Sequence, residues 1–152
     1  MQENDIAIIK ESVQTFFQNM TVRVLSIEVA SLPLSITDEN EKESISLEIN
    51  LEDPKVLIGQ NGQTLFELQR LFRIIFTKKL QKDFYLDLDI NDYKKQKVEY
   101  VKRMANDLAD QVAAFKEEKS LPPMPSYERR VVHGELGQRQ DVALKVRERA
   151  KI

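Results

Sequence analysis

Two glycines three positions apart, Gly59 and Gly62, lie between two segments with helical patterns. Glycine adopts positive φ angles easily, and it leaves no side chain where another molecule must come close. Asp53 and Pro54, just upstream, suit the start of a short helix. Downstream, leucine, isoleucine and phenylalanine recur at helical spacing across residues 65–80. The pattern predicts two helices joined by a tight Gly-x-x-Gly turn.

Strictly alternating apolar residues flank this helical pair on both sides. Residues 45–51 and 84–90 place a large apolar side chain at every second position, which predicts strands with one buried face. A helix over residues 6–20, a strand over 21–30 and a polar, acidic loop over 31–44 are predicted before them. The fold class is therefore α+β, in the order helix, strand, strand, short helix, long helix, strand. Because a helical crossover joins the two alternating strands, we predict that they are adjacent and parallel.

This order, with a Gly-x-x-Gly turn between the helices, is typical of a type II KH domain, which binds about four nucleotides of a single strand. A Gly-x-x-Gly by itself is also typical of a simple turn, but the flanking strands favour the nucleic-acid interpretation. We predict that Gly59, Gln60, Asn61 and Gly62 bind RNA, with Arg70 at the rim of the site. Aspartate at both glycines is then expected to block the approach of phosphates.

The net charge of −2 conceals a gradient along the chain. Residues 1–58 sum to −7, residues 59–120 to +2 and residues 121–152 to +3. A near-neutral total argues against electrostatic wrapping of duplex DNA, and it permits a local RNA site in the two basic segments.

Composition also narrows the class of protein. The chain has no cysteine and one histidine, so we expect no enzymatic activity, no cofactor and no metal site. No apolar run approaches the length of a membrane span, and the first five residues are too acidic for a secretory signal. A cytoplasmic protein without membrane association is expected.

A further helix is predicted from Asn91 or Asp92, either of which suits a cap, to about residue 118. Asp87 and Asp89, just before it, are predicted on the wet side of an edge strand. The helix also carries a basic face, predicted to be either solvated or an electrostatic rim for RNA. That face comprises Lys94, Lys95, Lys97, Lys102 and Arg103.

The proline-rich segment 121–125 cannot continue a helix and marks a boundary. Ser126 is predicted to cap the next helix, on which Arg129 and His133 lie four apart on one face, beside Arg130. A guanidinium and an imidazole can together bind phosphate and stack on a base.

A structural role for this pair is the alternative. Arg129 would then pair with an acidic neighbour such as Glu128 or Glu135, while His133 packs locally. We predict that the helix ends at Gly137 and that a short strand follows over residues 141–146.

Residues 121–133 resemble the signature of the Arg-x-x-x-His (R-3-H) domain of bacterial Jag proteins, also called SpoIIIJ-associated proteins. Residues 57–65 resemble the KH domain that precedes it in that family. The resemblance implies a type II KH domain over 1–90, a linking helix over 91–120 and a small α/β R-3-H domain over 121–152.

The resemblance also implies a function and its residues. It implies a single-stranded RNA-binding protein of the bacterial cytoplasm, acting as a post-transcriptional regulator or RNA chaperone. The Gly59–Gly62 turn would be the backbone clamp, and Arg129 with His133 the second contact.

This chain departs from the family pattern in three ways. Gln60 and Asn61 are uncharged where the family usually has basic character, and we expect that the extra N-terminal domain of many family members is absent and that the C-terminal domain is short or truncated. The uncharged turn leaves an alternative open: a KH-fold protein-interaction module with little affinity for RNA. Its partner would be a second copy of the chain or another KH protein.

Overall fold

The computed structural model describes residues 1–32 and 42–145. The acidic loop predicted over residues 31–44 falls mainly outside that part. The chain divides into two compact units, residues 1–94 and the residues from 95 onward. The helices and strands are, in order, α1 Glu3–Asn19, β1 Val24–Leu32, β2 Glu43–Leu51, α2 Lys55–Ile58, α3 Gln63–Leu80, β3 Phe84–Ile90, α4 Tyr93–Phe115 and α5 Ser126–Leu136.

The first unit has the predicted α+β element order, with a three-stranded sheet in the order β1-β2-β3. Strands β1 and β2 are antiparallel, whereas β2 and β3 are parallel. The prediction of two adjacent, parallel alternating strands is therefore confirmed. Their apolar residues lie in register, with Leu47 opposite Leu88 and Ile49 opposite Ile90. All four side chains are buried, which gives the sheet one apolar face.

An aromatic cluster connects α1 to α3 above this face. Phe16 and Phe17 of α1 meet Phe72 of α3 edge to face, with ring centroids 5.0 Å and 5.9 Å apart. Phe72 in turn stacks on Phe76 at 5.5 Å. Burial of a phenylalanine side chain stabilises a fold by roughly 1.5–3 kcal/mol, so this cluster fixes α3 firmly. The start of α3, where the Gly-x-x-Gly turn lies, is fixed with it.

An ion pair joins α1 to the turn before β3. The Lys82 ammonium donates a hydrogen bond of 2.7 Å to the Asp5 carboxylate, which also accepts the backbone N–H of Gln2 at the start of α1. The hydrogen bond from Lys82 is the main reason that the pKa of Asp5 lies below its ordinary value of 3.8.

We expect Asp5→Asn to change how the stability of the first unit depends on pH. A carboxylate with a lowered folded-state pKa stabilises the fold above its unfolded-state pKa, and this contribution disappears as the pH falls through the folded-state value. The urea midpoint of the variant should therefore lie below that of the original protein at pH 7 and approach it below about pH 4. Lys82→Met should remove the same pH-dependent contribution to the stability of the first unit. A midpoint difference that stays constant from about pH 7 to about pH 2.5 would contradict this role.

One prediction at the β3–α4 junction is wrong. Asp89 does not lie on the wet side of the strand, because its carboxylate is buried and accepts the backbone N–H groups of Ile90 and Lys94 at 2.9 Å and 3.0 Å. Asp89 thereby satisfies a backbone donor in the first turn of α4. Asp87 is exposed, as predicted.

The basic face predicted on α4 is not uniformly solvated. Only 16% of the Lys94 side chain is exposed, and its ammonium donates to Gln69 at 2.7 Å and to Asp87 at 2.8 Å. The Lys97 ammonium lies 4.0 Å from the buried Glu128 carboxylate. The two lysines therefore have structural partners, whereas Arg103 is exposed.

The second unit packs α4 against α5 through the buried side chains of Val101, Ala105, Ala109, Val132 and Leu136. Leu121 and Met124, from the proline-rich segment, pack on the same cluster.

The ends of α5 differ in part from the prediction. Helix α5 ends at Gly137 as predicted, but Pro125, not Ser126, takes the capping position. Residues 141–145 do not form the predicted strand, and Val146 lies outside the described residues. No helix in the described ranges is both long enough and apolar enough to span a membrane.

Candidate nucleic-acid interface

The Gly-x-x-Gly turn has an unusual backbone in three of its four residues. Gly59 ends α2 with φ of 72°, and Gly62 precedes α3 with φ of 76°. Asn61 between them has φ of 53°. Glycine enters this region without strain, and asparagine is among the residues that tolerate it best. The sequence Gly-Gln-Asn-Gly therefore suits the conformation that the turn adopts.

Both glycines are required by the protein's own packing. A Cβ atom on Gly59 would lie 2.8 Å from Cβ of Thr64, and one on Gly62 would lie 2.7 Å from Cε1 of Tyr93. Aspartate at these positions would therefore strain the backbone and collide with neighbouring side chains. The effect expected from the sequence, a block of phosphate approach alone, cannot be isolated by changing the glycines.

Gln60 and Asn61 form the accessible part of the turn. Both side chains are exposed, whereas Gly62 is buried. The turn leads directly into α3, whose first residues have no side-chain cap. The N-terminal end of a helix carries partial positive charge and orients N–H groups toward an incoming anion. Two exposed amide side chains thus directly precede a helix N-terminus.

Basic and apolar side chains extend along the exposed side of α3. The Arg70 side chain is 76% exposed and its guanidinium lies 3.4 Å from Glu67, while Ile74, one turn further on, is 65% exposed. These residues border a groove of about 520 Å³ whose lining is Arg70, Arg73, Ile74, Thr77, Lys78 and Asp83. The acid in this groove is already paired, since Asp83 accepts hydrogen bonds from Lys42 and Arg73, which lower its pKa. The predicted rim residue Arg70 therefore lies on a surface with an excess of cations.

The opposite face of the sheet is acidic. Glu28 of β1 lies opposite Glu48 of β2 on this face, where the exposed Asp87 is paired with Lys94. Carboxylates repel phosphate groups, so this face is a poor platform for a nucleic-acid strand. In the first unit, the turn and the exposed side of α3 are the surface suited to such a ligand.

Arg129 and His133 are both exposed on one side of α5. The Arg129 guanidinium donates a hydrogen bond of 2.8 Å to the hydroxyl of Ser126. Among the residues that the structure describes, no carboxylate lies within ion-pair distance of Arg129. Arg130 is also exposed. The pairing of Arg129 with Glu128 or Glu135, considered as its structural alternative, is not observed, because these acids contact Lys97 and Asn106.

Arg139 fixes the residues that follow α5. Its guanidinium donates two hydrogen bonds to Asp141, of 2.9 Å and 2.7 Å, and one of 2.7 Å to Asp110 of α4. The guanidinium lowers the pKa of Asp141, and the two carboxylates raise the pKa of Arg139. Arg139 therefore has an internal structural role, unlike Arg129, whose only described partner is a hydroxyl.

Sequence reasoning missed the supports of the Gly-x-x-Gly turn. The turn is packed by Thr64 at Gly59 and by Tyr93 at Gly62. The start of α4 is fixed by the buried Asp89, which accepts the N–H of Lys94. Little in the sequence indicates that Asp89 is buried, because an acidic residue in an alternating strand normally faces solvent. The packing of Tyr93 on Gly62 involves residues 31 positions apart, and local patterns do not report such contacts.

Comparison with known proteins gives matches for both units. The R-3-H domain family matches residues 99–138, which include Arg129 and His133. RNA-binding protein KhpB of Clostridium symbiosum is 29% identical over 134 residues, or 86% of this chain and 60% of the relative. RNA-binding protein KhpB of Bacillus subtilis is 32% identical over 101 residues, or 66% of this chain and 49% of the relative.

A third relative extends the same result. RNA-binding protein KhpB of Lactiplantibacillus plantarum is 33% identical over 87 residues, which is 57% of this chain and 27% of the relative. The chain thus spans less than two thirds of the length of each of these curated relatives. The shared motifs, the match to the R-3-H domain and these similarities together confirm the resemblance of this chain to the bacterial Jag family, which includes the similar KhpB proteins.

Proposed function

We propose that this protein binds single-stranded RNA through the exposed tip of its Gly-x-x-Gly turn. The observation that carries the proposal is the turn itself: two exposed amide side chains at the N-terminus of α3, on a backbone shaped by two positive-φ glycines. Gln60 and Asn61 would contact the phosphate–sugar backbone, and Arg70 would contribute at the rim. The name of the relatives, RNA-binding protein, supports this choice of ligand.

Arg129 and His133 provide a second contact in the proposal. The guanidinium has no acidic partner within the described residues, so it can bind a phosphate without first breaking an ion pair. The imidazole one turn away can stack on a base or donate to a phosphate. Arg130 would add charge at the edge of this site.

The proposal keeps the domains inferred from the sequence, with one refinement. We place a type II KH domain over residues 1–90, on the basis of its element order and strand pairing. Helix α4 packs on α5, and the match to the R-3-H domain begins at residue 99, so we assign most of the segment 91–120 to the second domain together with 121–152.

We further propose that the protein acts as a post-transcriptional regulator or an RNA chaperone. Both roles require weak binding to unstructured RNA and no catalysis. The uncharged tip favours hydrogen bonds over strong electrostatic attraction, which suits short-lived complexes. We propose that the protein acts in the cytoplasm, where its RNA ligands would be found. A second copy or another KH protein would extend the RNA surface.

We expect titration of a fluorescent, unstructured RNA to give saturable binding that weakens with salt. For single strands, the logarithm of the affinity falls by about 0.7 per logarithmic unit of salt for each phosphate contact. Two or three contacts therefore predict a slope of roughly −1.5 to −2. A duplex of the same sequence should bind more weakly. Absence of saturable RNA binding at low salt would contradict the proposal and favour the protein-interaction module.

A further inference from the structure

Tyr93, the first residue of α4, lies directly on the second glycine of the turn. Its ring atom Cε1 would be 2.7 Å from a Cβ on Gly62, and its hydroxyl would be 3.4 Å away. Gly62 is buried beneath this ring, and Tyr93 itself packs on the core of the first unit. The space that a side chain on Gly62 would take is therefore occupied by tyrosine and is not open to a ligand.

We propose that Tyr93 is a positioning residue that holds Asn61 and Gly62 in their positive-φ conformation, ready for RNA. The statement about RNA rests on the proposed function, whereas the statement about the turn does not. On this inference the two glycines have different tasks. Gly59 allows the chain to turn sharply after α2, and Gly62 makes room for the aromatic ring that fixes the turn.

The position of Tyr93 is itself fixed by the sheet. The side chain of Asn91 acts as a further strand residue: its oxygen accepts the N–H of Leu51 at 2.8 Å and its amide donates to the carbonyl of Leu51 at 3.0 Å. The backbone N–H of Asn91 donates to Ile49 at 3.0 Å, and Asp89 accepts the N–H of Lys94. Hydrogen bonds thus fix the backbone on both sides of Tyr93, at Asn91 and at Lys94.

The backbone before Tyr93 also indicates a constrained junction. Asn91 and Asp92 have φ of 50° and 56°, a conformation that non-glycine residues rarely adopt twice in succession. This arrangement directs the chain from β3 so that the first side chain of α4 meets the turn. Two positive-φ segments, 61–62 and 91–92, therefore meet through a single aromatic ring.

A ring that fixes the turn should lower the cost of ordering it on binding. A loop held in its bound conformation binds more tightly, because less conformational freedom is lost when the ligand arrives. Without the ring, Asn61 and Gly62 can populate other backbone conformations, and only a fraction of the molecules will present the competent turn. The apparent affinity is then the intrinsic affinity multiplied by that fraction.

The test compares Tyr93→Ala, Tyr93→Leu and Tyr93→Phe. We expect Tyr93→Ala and Tyr93→Leu to lower the amide order parameters of Gln60, Asn61 and Gly62, and to reduce RNA affinity about three- to tenfold. Tyr93→Phe keeps the ring and should change neither quantity. Leucine retains contact with the core, so Tyr93→Leu gives a folded variant if alanine unfolds the unit.

The two readouts separate the outcomes. Unchanged order parameters in folded Tyr93→Leu would overturn the positioning role, whatever the RNA titration shows. Lower order parameters with unchanged RNA affinity would overturn the inference that the turn is held ready for RNA. If the original protein binds no RNA, the proposed function fails, and the order parameters still decide whether Tyr93 holds the turn.

Discussion

Aspartate at both tip positions of the turn, in Gln60→Asp/Asn61→Asp, should lower the affinity for unstructured RNA at least tenfold. Both residues are exposed, so carboxylates there would face the phosphates that the amides are proposed to contact. A hydrogen bond to a charged group contributes about 1.5–3 kcal/mol, and the loss of about 1.4 kcal/mol already corresponds to a factor of ten. Repulsion between carboxylate and phosphate adds to this loss.

This variant avoids the difficulty of changing the glycines. Aspartate, like asparagine, tolerates the positive φ at position 61, and neither substitution enters the spaces occupied by Thr64 and Tyr93. Circular dichroism and the urea midpoint should therefore remain close to those of the original protein.

The measurement is fluorescence anisotropy with a short unstructured RNA at two salt concentrations. Gln14→Asp/Gln18→Asp, on the exposed side of α1, makes the same change in net charge away from the turn. It should reduce affinity far less than the tip variant does. Equal losses in the two variants would mean that net charge, and not the turn, controls binding.

Removal of the pair on α5, in Arg129→Ala/His133→Ala, should weaken RNA binding about three- to tenfold without abolishing it. Some binding should remain because the turn in the first unit is intact. Each lost phosphate contact should make the salt dependence shallower by about 0.7. Folding should be little affected, since both side chains are exposed and the one described partner of Arg129 is the Ser126 hydroxyl.

The control for this pair removes one arginine elsewhere. Arg23 is 75% exposed and lies 3.8 Å from Glu52. Arg23→Ala changes the net charge as Arg129→Ala does, and it should leave the salt slope unchanged. If the Arg129/His133 variant has the affinity and the salt slope of the original protein, both residues have only a structural role.

Much of the first unit was predictable because its patterns are local. Alternation in residues 45–51 and 84–90 identifies two strands with one buried face, and a connection through helices requires parallel pairing. The positions of Gly59 and Gly62 identify the turn, and a spacing of four places Arg129 and His133 on one side of a helix. Each inference needs only the periodicity of a single segment or a rule of chain connection.

The tertiary structure decided which of these residues are accessible. The sequence predicts Gly62 as a point of approach for RNA, but Tyr93 buries it. The alternating pattern predicts that Asp89 faces solvent, but it is buried at the start of α4, while the charge of Lys94 is paired with Gln69 and Asp87. In each case the deciding contact joins separate elements of the fold.

The sequence by itself thus determined the order of the elements, the parallel strand pair and the place of the two motifs, because side-chain periodicity and glycine conformation act over a few residues. The tertiary structure alone decided that Gln60 and Asn61 are exposed at the tip of the turn, whereas Gly62 is buried beneath Tyr93. Burial and hydrogen bonding depend on which distant segments pack together, and the spacing of residues along the chain carries no record of that packing.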